Sequence, residues 1–345
     1  MIAPVVINEN DIDVMTSVIT TLLSPRIVLT TIAHALPPLR LALRLILAGV
    51  LLMAPLLSQA DADVNADAKP KLLVSIKPIQ LIALAIAGDT AEVELLLAPN
   101  VSPHLYQLKP SDRQLLANAE LVIWVGPSME RFLAKPLSLL PSPRVLTLLN
   151  ESELDTGADI EPDQDEHGHS EHQHHGQDPH IWLSPVQAQH IARQIAQRLS
   201  TLLPAQRLTF EQNLQRFSAQ LAALDAQLQQ QFKALQPKPY MVLHDGYGHF
   251  ERHYGQRHAA VLSLSPDKKP GAKHLWALSE QLKQGGIACV FKEPQYQPAL
   301  LATLTQGLAI KQQPLDPMAS HIKADANGYY RFMAEFAASF ISCVQ

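Results

Sequence analysis

Short apolar runs and helical stripes alternate along this chain. Lys71-Leu-Leu-Val-Ser-Ile76, Val93 to Leu97, Leu121 to Val125 and Val145 to Leu148 have the length and aliphatic composition of buried strands. Ile79 to Ala87, a short segment ending at Asn118 and a stretch near Met129 to Leu133 read as the helices between them. Ser111-Asp-Arg-Gln114 has the form of a capping box, with Ser111 as N-cap and Gln114 at N3. Ser184-Pro-Val-Gln187 repeats the device with Pro185 at N1, and Ile191, Ile195, Leu199 and Leu202 keep helical spacing as far as Pro204.

The most regular stripe follows. Leu214, Phe217, Leu221, Leu224, Leu228, Gln231 and Leu235 step by three and four, with Gln231 the single polar break. Ala205 to Leu235 therefore predicts one helix of roughly 45 Å. A heptad-like stripe serves a coiled coil or a helix laid on its own domain. Placed mid-chain between two similar halves, it is read as an intramolecular spine. Beyond Pro237-Lys-Pro239 the alternation resumes. Tyr240 to His244, Ala260 to Leu264 and Ile287 to Phe291 read as strands, and Ala272 to Lys283, Pro298 to Leu308 and Tyr329 to Cys343 as helices. The fold class expected is α/β, two parallel-sheet lobes joined by one long helix. The division is 1–60 leader and signal peptide, 71–204 first lobe, 205–236 spine and 237–345 second lobe. Trp124, Trp182 and Trp276 are read as core.

Composition adds an address. With 47% apolar and 17% charged residues, 345 residues suffice for two packed lobes. A net charge of −5 gives no electrostatic case for nucleic acid or an anionic membrane. Arg40 and Arg44 precede the apolar run Leu45 to Leu57, then Ser58-Gln59-Ala60 before Asp61, the order of a signal peptide near residues 38–60. The expectation is an exported, periplasmic protein. No cysteine precedes 289, so the mature start lacks the residue for a lipid anchor. In an oxidising compartment the two cysteines, Cys289 and Cys343, are expected to pair, two buried thiols being the alternative.

The chemistry is concentrated in histidine. His167, His169, His172, His174 and His175 crowd residues 161–178, which hold little to bury and read as a low-affinity collector of borderline cations. His180 instead leads into apolar Ile181-Trp182-Leu183, where a ligand can be held rigidly. His104 follows the second strand and His244 ends the first strand of the second half. Open α/β sheets gather ligands at the carboxyl ends of their strands. A site in the cleft between lobes is thus expected from His104, His180 and His244, with Asp316 or water as the fourth donor, a set that suits Zn2+. Asp316 precedes Pro317, and the competing role is that of a turn carboxylate. His249 and His253, four apart, are read as solvated helix residues; His190, His258, His274 and His321 show no ligand pairing.

Ser102-Pro-His104-Leu-Tyr106-Gln-Leu-Lys-Pro-Ser-Asp112 resembles the His-x-Tyr-x-x-x-Pro-Ser-Asp signature of metal receptors for bacterial ABC importers. Val125-Gly-Pro-Ser-Met-Glu130, His180-Ile-Trp-Leu-Ser-Pro185, His244-Asp-Gly-Tyr-Gly248 and Glu293-Pro-Gln295 extend the match over roughly Lys71 to Cys343. The acidic His-rich stretch looks like that of the ZnuA-type periplasmic zinc receptors. The resemblance implies two lobes joined by a rigid helix, zinc on His104, His180 and His244, and a Cys289–Cys343 disulfide. It also implies a monomer that delivers zinc to a membrane permease driven by a separate ATPase. Relatives that carry manganese or iron use a carboxylate where His244 stands. One departure is Pro103, where zinc receptors of this type often have Glu.

The expected class is therefore a binding protein rather than an enzyme. The chain has no Gly-x-x-x-x-Gly-Lys-Ser/Thr loop, and no histidine is followed by glutamate as a His-Glu-x-x-His hydrolase requires. A secreted zinc hydrolase and a metal-dependent adhesin or sequestration protein are the alternatives.

Overall fold

The computed structural model describes residues 69–149, 178–263, 270–296 and 299–345. The expected signal peptide and the histidines from His167 to His175 lie outside the described residues. Strands β1 (Lys71–Val74), β2 (Glu92–Leu95), β3 (Leu121–Trp124) and β4 (Val145–Thr147) form one parallel sheet in the order β2-β1-β3-β4. Strands β5 (Tyr240–His244), β6 (Ala260–Ser263), β7 (Cys289–Lys292) and β8 (Lys311–Pro314) form a second parallel sheet in the order β6-β5-β7-β8. The two halves thus repeat one topology. The helices are α1 (Lys77–Ala87), α2 (Pro110–Asn118), α3 (Arg131–Leu137), α4 (Pro185–Leu202), α5 (Arg207–Ala234), α6 (Gly248–Tyr254), α7 (Ala272–Lys283), α8 (Ala299–Thr305) and α9 (Gly328–Val344).

Both faces of each sheet are covered, which is why the strands read as nearly unbroken apolar runs. In the first sheet, Leu72, Val74, Leu121 and Ile123 enter the main core while Leu73, Val122 and Trp124 fill a satellite core against α2 and α3. In the second, Tyr240, Val242, Cys289 and Phe291 face the main core and Met241, Leu243 and Val290 a second satellite. The main core is continuous from Leu72 to Val344, so the halves share one apolar interior. Helices α1, α4, α5 and α9 pack on one another within it. Gly328 opens α9 against α1 so closely that a Cβ there would lie 2.6 Å from Leu81 Cδ2.

Helix α5 runs 28 residues, about 42 Å. Its buried stripe is Phe210, Asn213, Phe217, Leu221, Leu224, Leu228 and Phe232. Gln231 is exposed, and Phe232 takes the place in the stripe that the sequence pattern gave to Gln231. The mean step is close to the 3.6 of a straight helix rather than the 3.5 of a coiled coil, as suits a helix laid on its own protein.

Three local readings are corrected. The first is the start of α2. It begins at Pro110 rather than after Ser111, because Asp112, not Gln114, accepts the backbone N–H of Lys109 at 2.7 Å and the Tyr106 hydroxyl at 2.7 Å. At α4 the expected cap is present, Ser184 Oγ accepting from Gln187 N. Second, Trp276 is 68% exposed on α7, whereas Trp124 and Trp182 are buried. Third, β8 escaped the pattern because Lys-Gln-Gln-Pro is a polar edge strand, ended by a proline that an edge tolerates. Leu264, the last residue expected in β6, lies outside the described residues. No helix among the described residues is long and apolar enough to cross a membrane.

Candidate metal centre

Three segments from the two halves meet at one point. His244 is the last residue of β5, His104 lies in the loop after β2, and His180 caps the single 3-10 turn Ile181–Leu183 that leads into α4. That turn is fixed by burial of Ile181, Trp182 and Leu183, and Trp182 is tied across the halves. Its indole N–H donates to Pro317 O at 2.8 Å, and its own carbonyl accepts from the Tyr329 hydroxyl at 2.7 Å. His180 and His244 are buried and His104 is half-buried.

Nε2 of His180 lies 3.4 Å from Nε2 of His104 and 3.2 Å from Nε2 of His244. One ligand nitrogen from each ring lies within 4.8 Å of the others, and this is the only such group of three among the described residues. For a tetrahedral ion with metal–nitrogen bonds of about 2.0–2.1 Å, the edge between ligands is roughly 3.3–3.4 Å. The two edges at His180 match that length.

Two carboxylates set which nitrogens point inward. His244 Nδ1 donates to Glu293 Oε1 at 2.7 Å, and His180 Nδ1 donates to Asp178 Oδ1 at 2.8 Å. Each bond leaves the Nε2 lone pair facing the centre, where facing lone pairs repel until a cation lies between them. Burial pulls the His244 pKa down, but Glu293, then Asp178 and Asp245, outweigh it and raise it above the ordinary histidine value. Burial also disfavours the Asp178 carboxylate, and His180 followed by His249 overcomes that, holding Asp178 well below the usual carboxylate range. The centre is thus assembled for a positive charge.

The cavity between the rings is about 10 Å³, the size of one water or one ion. Ser102, Pro103, Glu293, Gln295, Tyr296, Pro317 and Met318 complete its lining. Pro103 brings no side-chain donor. A wider groove of about 560 Å³ between β4 and α4, lined by Thr147, His190 and Gln194 among others, is open and polar and lies away from these rings.

The structure does not bring Asp316 into the three-histidine group. Its Oδ1 accepts from Gln295 Nε2 at 2.8 Å and Met318 N at 3.0 Å, and its Oδ2 from Ser320 N and Ser320 Oγ at 2.6 Å each. This is the turn-carboxylate role. His249 and His253 are not solvated as expected but half-buried, His249 Nε2 donating to Asp178 O at 2.9 Å and His253 Nε2 to Asp225 Oδ1 at 2.7 Å. Cys289 and Cys343 form a disulfide between β7 and α9.

Asp178, Glu293 and Gln295 had no assigned role in the sequence reading. Glu293 carried a signal: it follows β7, the strand beside β5, so its side chain emerges next to that of His244.

The family model described as "Zinc-uptake complex component A periplasmic" matches residues 72–343. The high-affinity zinc uptake system protein ZnuA of Yersinia pestis is 37% identical over 314 residues, covering 87% of this chain and 96% of that protein. Among solved structures, a zinc-bound deletion mutant of ZnuA aligns with a TM-score of 0.62 at 24% identity, covering 79% of this chain and 98% of that one. The periplasmic zinc-binding protein TroA of Treponema pallidum aligns with a TM-score of 0.66 at 20% identity, covering 80% and 99%. At these identities the two structures speak for the fold, two α/β lobes joined by a long helix.

Proposed function

The chain belongs to the family of periplasmic zinc-uptake component A proteins, and from that premise we propose that it is an exported zinc receptor. It captures Zn2+ in the periplasm on His104, His180 and His244 and delivers it to an ABC-type permease powered by a separate ATPase. The observation that carries the reading is the convergence of three imidazoles on an ion-sized cavity, with Nε2 of His180 at 3.4 Å and 3.2 Å from those of His104 and His244. Three neutral imidazoles leave one vertex for an oxygen donor, a borderline-soft set that suits zinc. The lobes are residues 71–204 and 237–345, with 205–236 as the spine, and the receptor works as a monomer. Their shared core supports capture with little movement between them. His167, His169, His172, His174 and His175, within residues 161–178, act as a low-affinity zinc collector beside the deep site.

A receptor also fits the state of the carboxylates better than a hydrolase does. A zinc hydrolase needs a general base open to the metal-bound water. Here one oxygen of each, Glu293 Oε1 and Asp178 Oδ1, is taken up by the Nδ1–H of His244 and His180.

The test is competition titration of residues 61–345 against a zinc chelator, with His244→Ala and with Mn2+ as rival. The expected result is one tightly held zinc ion, lost in the variant and not displaced by Mn2+. Unchanged tight binding in His244→Ala would overturn the site. Deleting residues 166–176 is expected to lower total stoichiometry and keep the tight ion; loss of that ion with the segment would refute the separation of collector from site.

A further inference from the structure

Gln295 stands between the metal cavity and Asp316. It lines the cavity, and its side-chain Nε2 donates both to Asp316 Oδ1 at 2.8 Å and to Pro99 O at 3.2 Å, on the loop after β2. Both partners only accept hydrogen bonds, so the amide must turn its NH2 to them and its oxygen the other way. That oxygen, Oε1, is buried and receives no donor among the described residues. A buried acceptor without a donor has a cost that a bound group at the site would relieve. Asp316, for its part, is saturated. Its two oxygens accept four hydrogen bonds, from Gln295, Met318 N and both donors of Ser320. Bringing it to the ion would break these bonds, the one from Gln295 among them.

We infer that Gln295 is a specificity-determining residue of the metal centre, holding the Asp316 carboxylate outside the ion's reach so that water fills the fourth vertex. The inference rests on the zinc-receptor reading and deepens it. The water on the ion donates a hydrogen bond to Gln295 Oε1, satisfying that acceptor. Three imidazoles and a water favour four-coordinate Zn2+. A carboxylate adds a hard, anionic oxygen, able to bind through both atoms, and shifts the preference toward Mn2+. Gln295 selects by withholding a ligand.

The experiment is the crystal structure of the zinc-loaded protein together with Zn2+ and Mn2+ affinities of Gln295→Met, which keeps the side chain's bulk and removes its N–H donors. Zinc is expected on three imidazoles and a water, with Asp316 still bonded to Gln295. The variant is expected to gain Mn2+ affinity by about tenfold or more relative to Zn2+. Adding Asp316→Asn to it is expected to cancel the gain. An Asp316 oxygen at about 2.0–2.2 Å from zinc in the unmodified protein overturns the inference. An unchanged ratio of Zn2+ to Mn2+ affinity in Gln295→Met overturns it too. The crystal structure decides even if the variant fails to fold. The His244→Ala titration stands apart: tight zinc retained there refutes the receptor site itself, whatever Gln295 does.

Discussion

Replacing Glu293 by glutamine and by leucine grades the support behind His244 without touching a ligand. Glu293 is 2% exposed and accepts the Nδ1–H of His244 at 2.7 Å. Glutamine can still accept that proton but carries no charge. Hydrogen bonds to charged partners contribute about 1.5–3 kcal/mol and neutral ones about 0.5–1.5, so the exchange loses about 1 kcal/mol. Zinc binding is then expected to weaken roughly fivefold. Leucine removes the acceptor, leaves the imidazole free to take the other tautomer, and is expected to weaken zinc by about 10- to 100-fold. The pH dependence adds a second check. A proton on Nε2 must leave before zinc enters. Because Glu293 is the largest influence raising the His244 pKa, the affinity of the unmodified protein starts to fall at a higher pH than an ordinary histidine would impose. Without that carboxylate, burial dominates and the fall moves to lower pH. The difference between the unmodified protein and Glu293→Leu is thus widest in mild alkali and narrows in acid. Chelator competition at pH 8 and pH 6, with thermal melts to establish folding, measures both limbs. Equal zinc affinity of Glu293→Leu and the unmodified protein at pH 8 would refute the reasoning.

Two further outcomes concern stability. Glu130 is wholly buried, accepts from Ser75 Oγ, Val125 N and Gly126 N, and is pushed up to about 7 by burial, which those bonds only partly oppose. Its ordinary value is 4.5, so between pH 4.5 and 7 the folded state holds a proton that the unfolded state has released. Stability therefore falls as pH rises through that window, by roughly 3 kcal/mol in total, and Glu130→Gln is expected to flatten the slope in denaturant titrations. A slope unchanged in Glu130→Gln would assign the effect elsewhere. The disulfide joins residues 54 apart, and replacing both cysteines by serine is expected to cost about 4 kcal/mol in the chain-entropy account. Chemical denaturation reads this directly, and a loss below about 1 kcal/mol would contradict that account.

In the proposed receptor, the cross-links between halves give the shared core a physical role in capture. Trp182 to Pro317, Tyr329 to Trp182, Ser102 to Tyr296 and Gln295 to Pro99 all cross from one half to the other near the metal centre. Asp178 does the same from behind, since its carboxylate holds His180 and its carbonyl accepts from His249 on α6. Ligand geometry and lobe packing are therefore one set of contacts, and a shift between the lobes would disturb both.

The sequence by itself determined the elements whose signals are local. Apolar runs marked the buried strands because both faces of each sheet are covered, and the steps of three and four marked α5 because one face of it is buried. Ser184 followed by Pro185 marked the start of α4. His104, His180 and His244 could be named because each sits beside a strand end or a buried turn, and the motifs around them resemble those of a known family. Tertiary structure decided what depends on neighbours distant in the chain. Phe232 rather than Gln231 completes the α5 stripe, since the position of the core settles which face is inside. Trp276 is exposed because α7 presents its other face to the sheet, and polar β8 is a strand only because β7 offers it an edge. Asp316 was legible as a carboxylate in a promising place, yet whether it joins the three histidines depends on Gln295, Met318 and Ser320 folding around it. Asp178 and Glu293 took their roles from the same source: a carboxylate 49 residues from His244 becomes its hydrogen-bond partner only where β5 and β7 lie side by side. Periodicity is written along one segment, whereas the second sphere of a site is written in contacts that only folding creates.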